Sequence, residues 1–337
     1  MRLVSLLAGI ALLGGLALSA LAQAGQTPNP ALVVLEKQDG TLAIVNPATL
    51  EVVGRVPVGA DPHEVAVSAD GDTAYVSNYG FFGKGAPGHT ISVVDLVSQK
   101  PLPPIDLTPL FAPHGLDFAG GEPYFTAEGS KVIGRYNPGT HKIDWVMGTG
   151  QDRTHMLRVF FDPAEIFTAN VASGTISIFQ ETGTPARTDW KATVVPVGRG
   201  SEGFDVTRDR GQLWVANADD GTVSIVDTSA KKVIQTFPDS VKHANRLKFT
   251  QDGKYALISD LQSDDLTVLS VASRSVYKKI PLGSPSEGIL IAPDGEHAYI
   301  ALGPANAVDV IDLSNWTVSG KIQTGRGPDG MAWAVRR

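Results

Sequence analysis

The chain repeats itself, and the repeat decides what it can fold into. Seven times a short apolar strand follows closely on a His or a carboxylate. The seven residues are His63, His114, His155, Glu202, His243, Glu287 and Asp329, separated by 41 to 51 residues. Each period keeps one internal order. A first strand such as Val65-Ala66-Val67 or Phe204-Asp205-Val206 leads to a turn such as Asp70-Gly71 or Asp252-Gly253, where Gly supplies positive φ without steric cost. A second strand ends on a polar residue, as in Tyr75-Val76-Ser77-Asn78 and Trp214-Val215-Ala216-Asn217. A regular third strand (Ile91 to Asp95, Val223 to Asp227, Val308 to Asp312) and a fourth complete the period. Four strands in roughly 40–50 residues is the signature of a propeller blade.

The two ends of the repeat fit together. Ala31 to Leu35 reads as a second strand with no first strand before it, and Pro328 to Val335 as a first strand with no second after it. Joined, they make a blade of three N-terminal strands and one C-terminal strand, which leaves no sheet edge at the seam. The expected fold is therefore all-β: a seven-bladed β-propeller of four-stranded blades over residues 31–337, its closing blade shared by both termini.

The Tyr75-Val76-Ser77-Asn78 strand, the Pro-His-x-Val-Ala-Val-Ser-x-Asp-Gly segment from Pro62 and the Thr90 to Leu96 strand resemble the YVTN-type propeller repeat of secreted bacterial YncE-like proteins. The resemblance covers essentially all of 31–337. It strongly implies the fold. For activity it implies only a range, from surface-layer and scaffold proteins to lactonase-like enzymes.

Composition narrows the chemistry. The net charge is −7 with no Lys/Arg cluster, so nucleic acid is not an expected partner. Cysteine is absent, which removes disulfides, zinc–thiolate sites and Cys nucleophiles. Any metal must be held by His, carboxylate, amide or backbone oxygen. At the N-terminus, Arg2 precedes an apolar run from Leu3 to Leu21, followed by small-x-small cleavage patterns ending at Ala22 and Ala24. Residues 1–24 are expected to be a signal peptide, cleaved after Ala22 or Ala24, with 25–30 a flexible leader. The alternative is an uncleaved membrane anchor, since the run is long enough to span. The expected location is periplasmic or extracellular, with no membrane contact after cleavage, as a monomer.

In a propeller the first strand of each blade lines the central channel, and its start lies at one mouth. Four His and three carboxylates would then ring that mouth. His63, His114, His155 and His243 are candidate ligands for a transition metal such as Zn, Cu, Fe or Ni. Glu202, Glu287 and Asp329 are candidates to orient the imidazoles or to act as acid or base. Pro-His is frequent in this repeat type, so His63 and His114 are partly explained by the repeat; His155 and His243 are less so. The second-strand ends add Asn78 and Glu128 on the same face. Asn at a strand end ordinarily makes a turn. Glu128 fits that explanation poorly and joins the acid/base candidates. Asn78 and Arg246 are candidate substrate-binding residues, and the loop from Tyr79 to His89, with Phe81 and Phe82, is either a lid or a surface insertion.

Two functions follow from this pattern. One is a metal-dependent hydrolase, lyase or oxidase acting on a small molecule at the mouth. The other is a noncatalytic scaffold that binds a protein or glycan partner. The run Gly83 to Gly88 fits G-x-G-x-x-G, but no helix follows to hold a phosphate. Ser201 and Ser286 lack the turn of a serine nucleophile.

Overall fold

The computed structural model describes residues 26–81, 85–162, 164–184, 187–237 and 241–337. The expected signal peptide, 1–24, and part of the expected lid, 82–84, lie outside the described residues. The described residues form seven four-stranded antiparallel sheets. Blade one pairs Pro328–Ala334 with Ala31–Glu36, followed by Thr41–Asn46 and Glu51–Pro57, so both termini share it as expected. The other six blades each use four consecutive strands, beginning at Pro62, Pro113, Thr154, Ser201, Ala244 and Ile289. Each blade's first strand touches the next blade's, and that of blade one touches that of blade two, which closes the ring.

The inner strands are buried on both faces because each sheet lies between two others. In Ala31–Glu36, the residues Ala31, Val33 and Leu35 pack with Val65, Val76 and Val94 of blade two. The alternate residues Leu32 and Val34 pack with Ala301, Val308 and Val310 of blade seven. Alternation of side chains along a strand thus delivers one core between every pair of blades. Outer strands such as Lys142–Gly148 alternate exposed and half-buried residues. The segment expected to be a flexible leader is instead tied down from Thr27 onward. The buried Thr27 hydroxyl donates to the Leu96 carbonyl at 2.6 Å, and Asn29 exchanges hydrogen bonds with the Arg336 backbone. These contacts satisfy backbone groups that a free leader would leave to water.

Candidate metal and ligand site at the channel mouth

The mouth is built by one device repeated around the ring. In blade two, Pro62 pairs with Asn78 and Val65 with Val76, so His63 and Glu64 together face the single residue Ser77. The same irregularity recurs in blades three to six. A bulge of this kind re-aims the side chains it carries. The Ser77 hydroxyl accepts from the Glu64 backbone at 3.1 Å and donates to the His114 carbonyl at 2.6 Å. Thr126 does the same between Gly115 and His155, at 2.8 and 2.7 Å. His114 and His155 are thereby anchored to the preceding blade.

This register places His63, His114, His155, Glu202, Glu287 and Asp329 around one cavity of about 180 Å³. It does not place His243 there. In blade six Ala244 pairs with Asp260 and Leu247 with Ile258, so the bulge carries Asn245 and Arg246. Asn245 therefore occupies the slot and lines the cavity. His243 sits two residues earlier, where blade four has Arg153; its carbonyl accepts from Leu261, as that of Arg153 accepts from Val171. The expectation for His243 is corrected: a slot two residues before the paired strand excludes it. Counting back from Leu247 would have found Asn245.

Asn78 is also corrected. Its amide donates to Thr90 and Ser92 at 2.8 and 2.9 Å, and its carbonyl oxygen accepts from Gly59 at 3.0 Å. Its hydrogen-bonding capacity is spent joining strands. The residue just past that strand end reaches the cavity instead in blades one and two, as Lys37 and Tyr79, and in blade three Glu128 reaches two side chains that line it, Tyr79 and His155. In the pairing, Ala127 rather than Glu128 is the counterpart of Asn78. Lys37 and Tyr79 were missed because the motif was aligned on its polar strand end; a shift of one residue reveals them. Arg246, expected to bind substrate, does line the cavity.

Two electrostatic halves result. On one side His155 lies between carboxylates. Its Nδ1 is hydrogen-bonded to Glu128, and Glu202 is 2.7 Å from Nε2, close enough to ion-pair although off the line of a hydrogen bond. Burial alone would lower the His155 pKa, but the two carboxylates raise it to about 9. Burial would likewise raise Glu202, yet His155 and Arg246 hold it at about 2. Glu128 is also held low by His155 and Arg153, and it accepts from the Tyr79 hydroxyl at 2.5 Å. His114 stacks on His155 with ring centroids 3.6 Å apart, and His63 on His114 at 4.8 Å. Desolvation pushes His63 down to about 3 and His114 well below the usual imidazole range, so both are neutral. Their Nδ1 atoms are buried and have no hydrogen-bond partner among the described residues.

On the other side, Lys37 donates to Glu287 at 2.5 Å and to Asp329 at 3.0 Å. Asp329 would be raised by burial but is held at about 2 by Lys37 and Arg246. Glu287 goes the other way, lifted by burial and by Asp329 beside it. Arg246 reaches across the channel to Glu64 at 2.6 Å and lines the cavity. A second cavity of about 230 Å³ lies against the same two side chains, lined also by Met156 and Leu290.

No family model matches the chain. The uncharacterised protein YncE of Salmonella typhimurium is 25% identical over 146 residues, 42% of this chain and 41% of the relative. The match thus spans less than half the length of that relative. The chain is a seven-bladed β-propeller that is similar to YncE over that span.

Among solved structures, the propeller superposes on a functionally unknown protein of Desulfotomaculum acetoxidans with a TM-score of 0.74 and 12% identity, covering 91% of this chain and 99% of the other. It superposes on the periplasmic gluconolactonase PpgL of Pseudomonas aeruginosa with a TM-score of 0.73 and 13% identity, again over 91% and 99%. Hydrazine synthase of Kuenenia stuttgartiensis gives 0.68 and 16%, over 81% and 90%. At these identities the shared property is the fold.

Proposed function

We propose that the mouth of the propeller binds one transition-metal ion and hydrolyses a small lactone or ester, in the periplasm or outside the cell. The observation that carries the metal is a buried ligand set. One candidate ligand atom from each of His114, Glu128 and His155 lies within 4.8 Å of the others. His114 is already neutral, as a ligand must be, and its Nδ1 has no hydrogen-bond partner among the described residues. In the metal-free protein the proton on His155 supplies the positive charge that Glu128 and Glu202 demand; a divalent ion would supply it in its place. His63, stacked on His114, stands beside this set rather than within it. The donor chemistry of two imidazoles and a carboxylate suits Zn, Cu, Fe or Ni.

Such a metal would supply a Lewis acid for the acyl oxygen and an activated water. The chain's own residues contribute the rest. Glu202, ionised and against His155, would orient that ring and accept a proton from water. Glu287, with its raised pKa, is the carboxyl best suited to return a proton to a leaving oxygen. The gluconolactonase among the structural neighbours supports a lactone, and its periplasmic location agrees with the apolar N-terminal run followed by small-x-small patterns.

Metal analysis tests the reading. Untagged protein, stripped and then offered each of the four metals, is expected to retain close to one ion per chain. His114→Ala and His155→Ala should lower the affinity at least tenfold, and His243→Ala should leave it unchanged. Wild-type protein that takes up none of the four sinks the proposal and leaves a noncatalytic scaffold with a protein or glycan partner.

A further inference from the structure

The half of the mouth away from His114 and His155 has its own unmet hydrogen bonds, and they specify a ligand. Arg246 is 5% exposed and Asp329 2% exposed, and both line the cavity. Arg246 commits Nε and Nη2 to Glu64, at 3.2 and 2.6 Å. Its Nη1 is buried, 3.9 Å from Glu202, and has no hydrogen-bond partner among the described residues. Asp329 spends Oδ2 on Lys37 at 3.0 Å, while its Oδ1 is buried, 4.0 Å from Arg246 Nη2, and likewise without a partner. The side-chain carbonyl of Asn245, also buried and lining the cavity, is a third such atom.

Buried polar atoms are almost always paired in folded proteins, because an unmade bond leaves a desolvated group uncompensated. Three of them in this half of the cavity mark a place where a ligand completes the set. The set is one cationic donor and two acceptors. The other cations at the mouth are engaged: Lys37 by Glu287 and Asp329, and Arg153 by Glu128 at 3.5 Å. Arg246 Nη1 therefore calls for one oxygen of a carboxylate or acyl group. Asp329 Oδ1 and Asn245 Oδ1 call for hydroxyl hydrogens a few ångströms away. A simple carboxylate leaves both acceptors unmet, and a simple polyol gives the guanidinium no charge.

We propose that this half of the mouth recognises a small hydroxy acid, the kind of molecule that opening a hydroxylated lactone releases, with Arg246 on the carboxylate and Asp329 and Asn245 on its hydroxyls. The proposal rests on the mouth being a ligand site and gives that site its substrate class. It is tested by calorimetry with glycerate, propionate and glycerol, each against metal-stripped and metal-loaded full-length protein. Glycerate is expected to bind at least tenfold more tightly than either of the others. Asp329→Asn should abolish its advantage over propionate. Glu64→Gln combined with Arg246→Gln, which removes both charges of the buried pair together, should abolish its advantage over glycerol. Thermal melts confirm that each variant is folded, and the wild-type comparison stands even where a variant is not. Glycerate that binds no better than propionate overturns the proposal, as does an Asp329→Asn variant that keeps the preference. Selective glycerate binding by a protein that takes up no metal removes the metal centre and leaves this inference intact. Metal uptake without glycerate selectivity does the reverse.

Discussion

At the scale of the residue, the buried histidines show how position overrides type. His63, His114 and His155 occupy equivalent slots in three consecutive blades, yet two are neutral and one is an imidazolium. The difference is carboxylate contact, which only His155 has on both nitrogens. This fixes a pH dependence for the metal-free protein. His155 is raised from 6.5 to about 9, so its contribution to stability is complete below pH 6.5 and is lost as the pH climbs to 9. His63 is lowered from 6.5 to about 3, so stability is also lost as the pH falls through that window. Glu202 and Asp329, lowered from 4.5 and 3.8 to about 2, withdraw their share below those ordinary values. The thermal midpoint is therefore expected to peak near pH 6.5, and His155→Gln should flatten the alkaline limb. Melts between pH 6.5 and 9 in the presence of a chelator check this; an unchanged alkaline fall in the variant refutes it.

At the scale of the element, the first strands converge on the axis, and small residues let them do so. The position after the ring slot is Gly115, Gly203, Gly288 and Gly330 in four blades, and Glu64, Met156 and Arg246 in the other three. A Cβ on Gly115 would lie 2.4 Å from the His155 carbonyl, and one on Gly288 2.1 Å from that of Asp329. The three long side chains, with Gly288 and Gly330, line the second cavity. Gly115→Ala should therefore destabilise the protein by about 1–3 kcal/mol through overpacking. Gly148, on an outer strand, has open space around its Cβ position and no positive φ. Gly148→Ala should be neutral or stabilising by about 0.4–1 kcal/mol. Urea unfolding of the two variants makes the comparison; equal effects would count against close packing at the axis.

At the scale of the whole molecule, the ring depends on one seam. Pro328–Ala334 covers the edge of Ala31–Glu36, all six residues of which are fully buried, and it also brings Asp329 to the mouth. A chain ending at Gly327 would expose that edge and the apolar faces beside it. Size-exclusion chromatography of the shortened chain is expected to show aggregation in place of the peak of the full chain. A shortened chain that elutes and melts as the full chain does would show that the seam is dispensable.

Blade number, closure by both termini and the ring slot itself were all legible in the sequence. They are written in local patterns: alternation along strands, Asp-Gly turns and the spacing between repeats. Such patterns record how neighbouring strands pair, because those pairings are made by residues near one another in the chain. Tertiary structure decided the membership of the site. The bulge in blade six put Asn245 in the slot and His243 outside it. The end of each second strand spent Asn78 on its own blade and turned Lys37, Tyr79 and Glu128 toward the axis. The Arg246–Glu64 pair joins residues 182 positions apart. Contacts across the axis exist only once seven blades have closed, and no local spacing encodes them. Six of the seven slot residues named by the repeat do face the mouth; which of them carry charge, and which atoms are left to bind a ligand, follows from that closure.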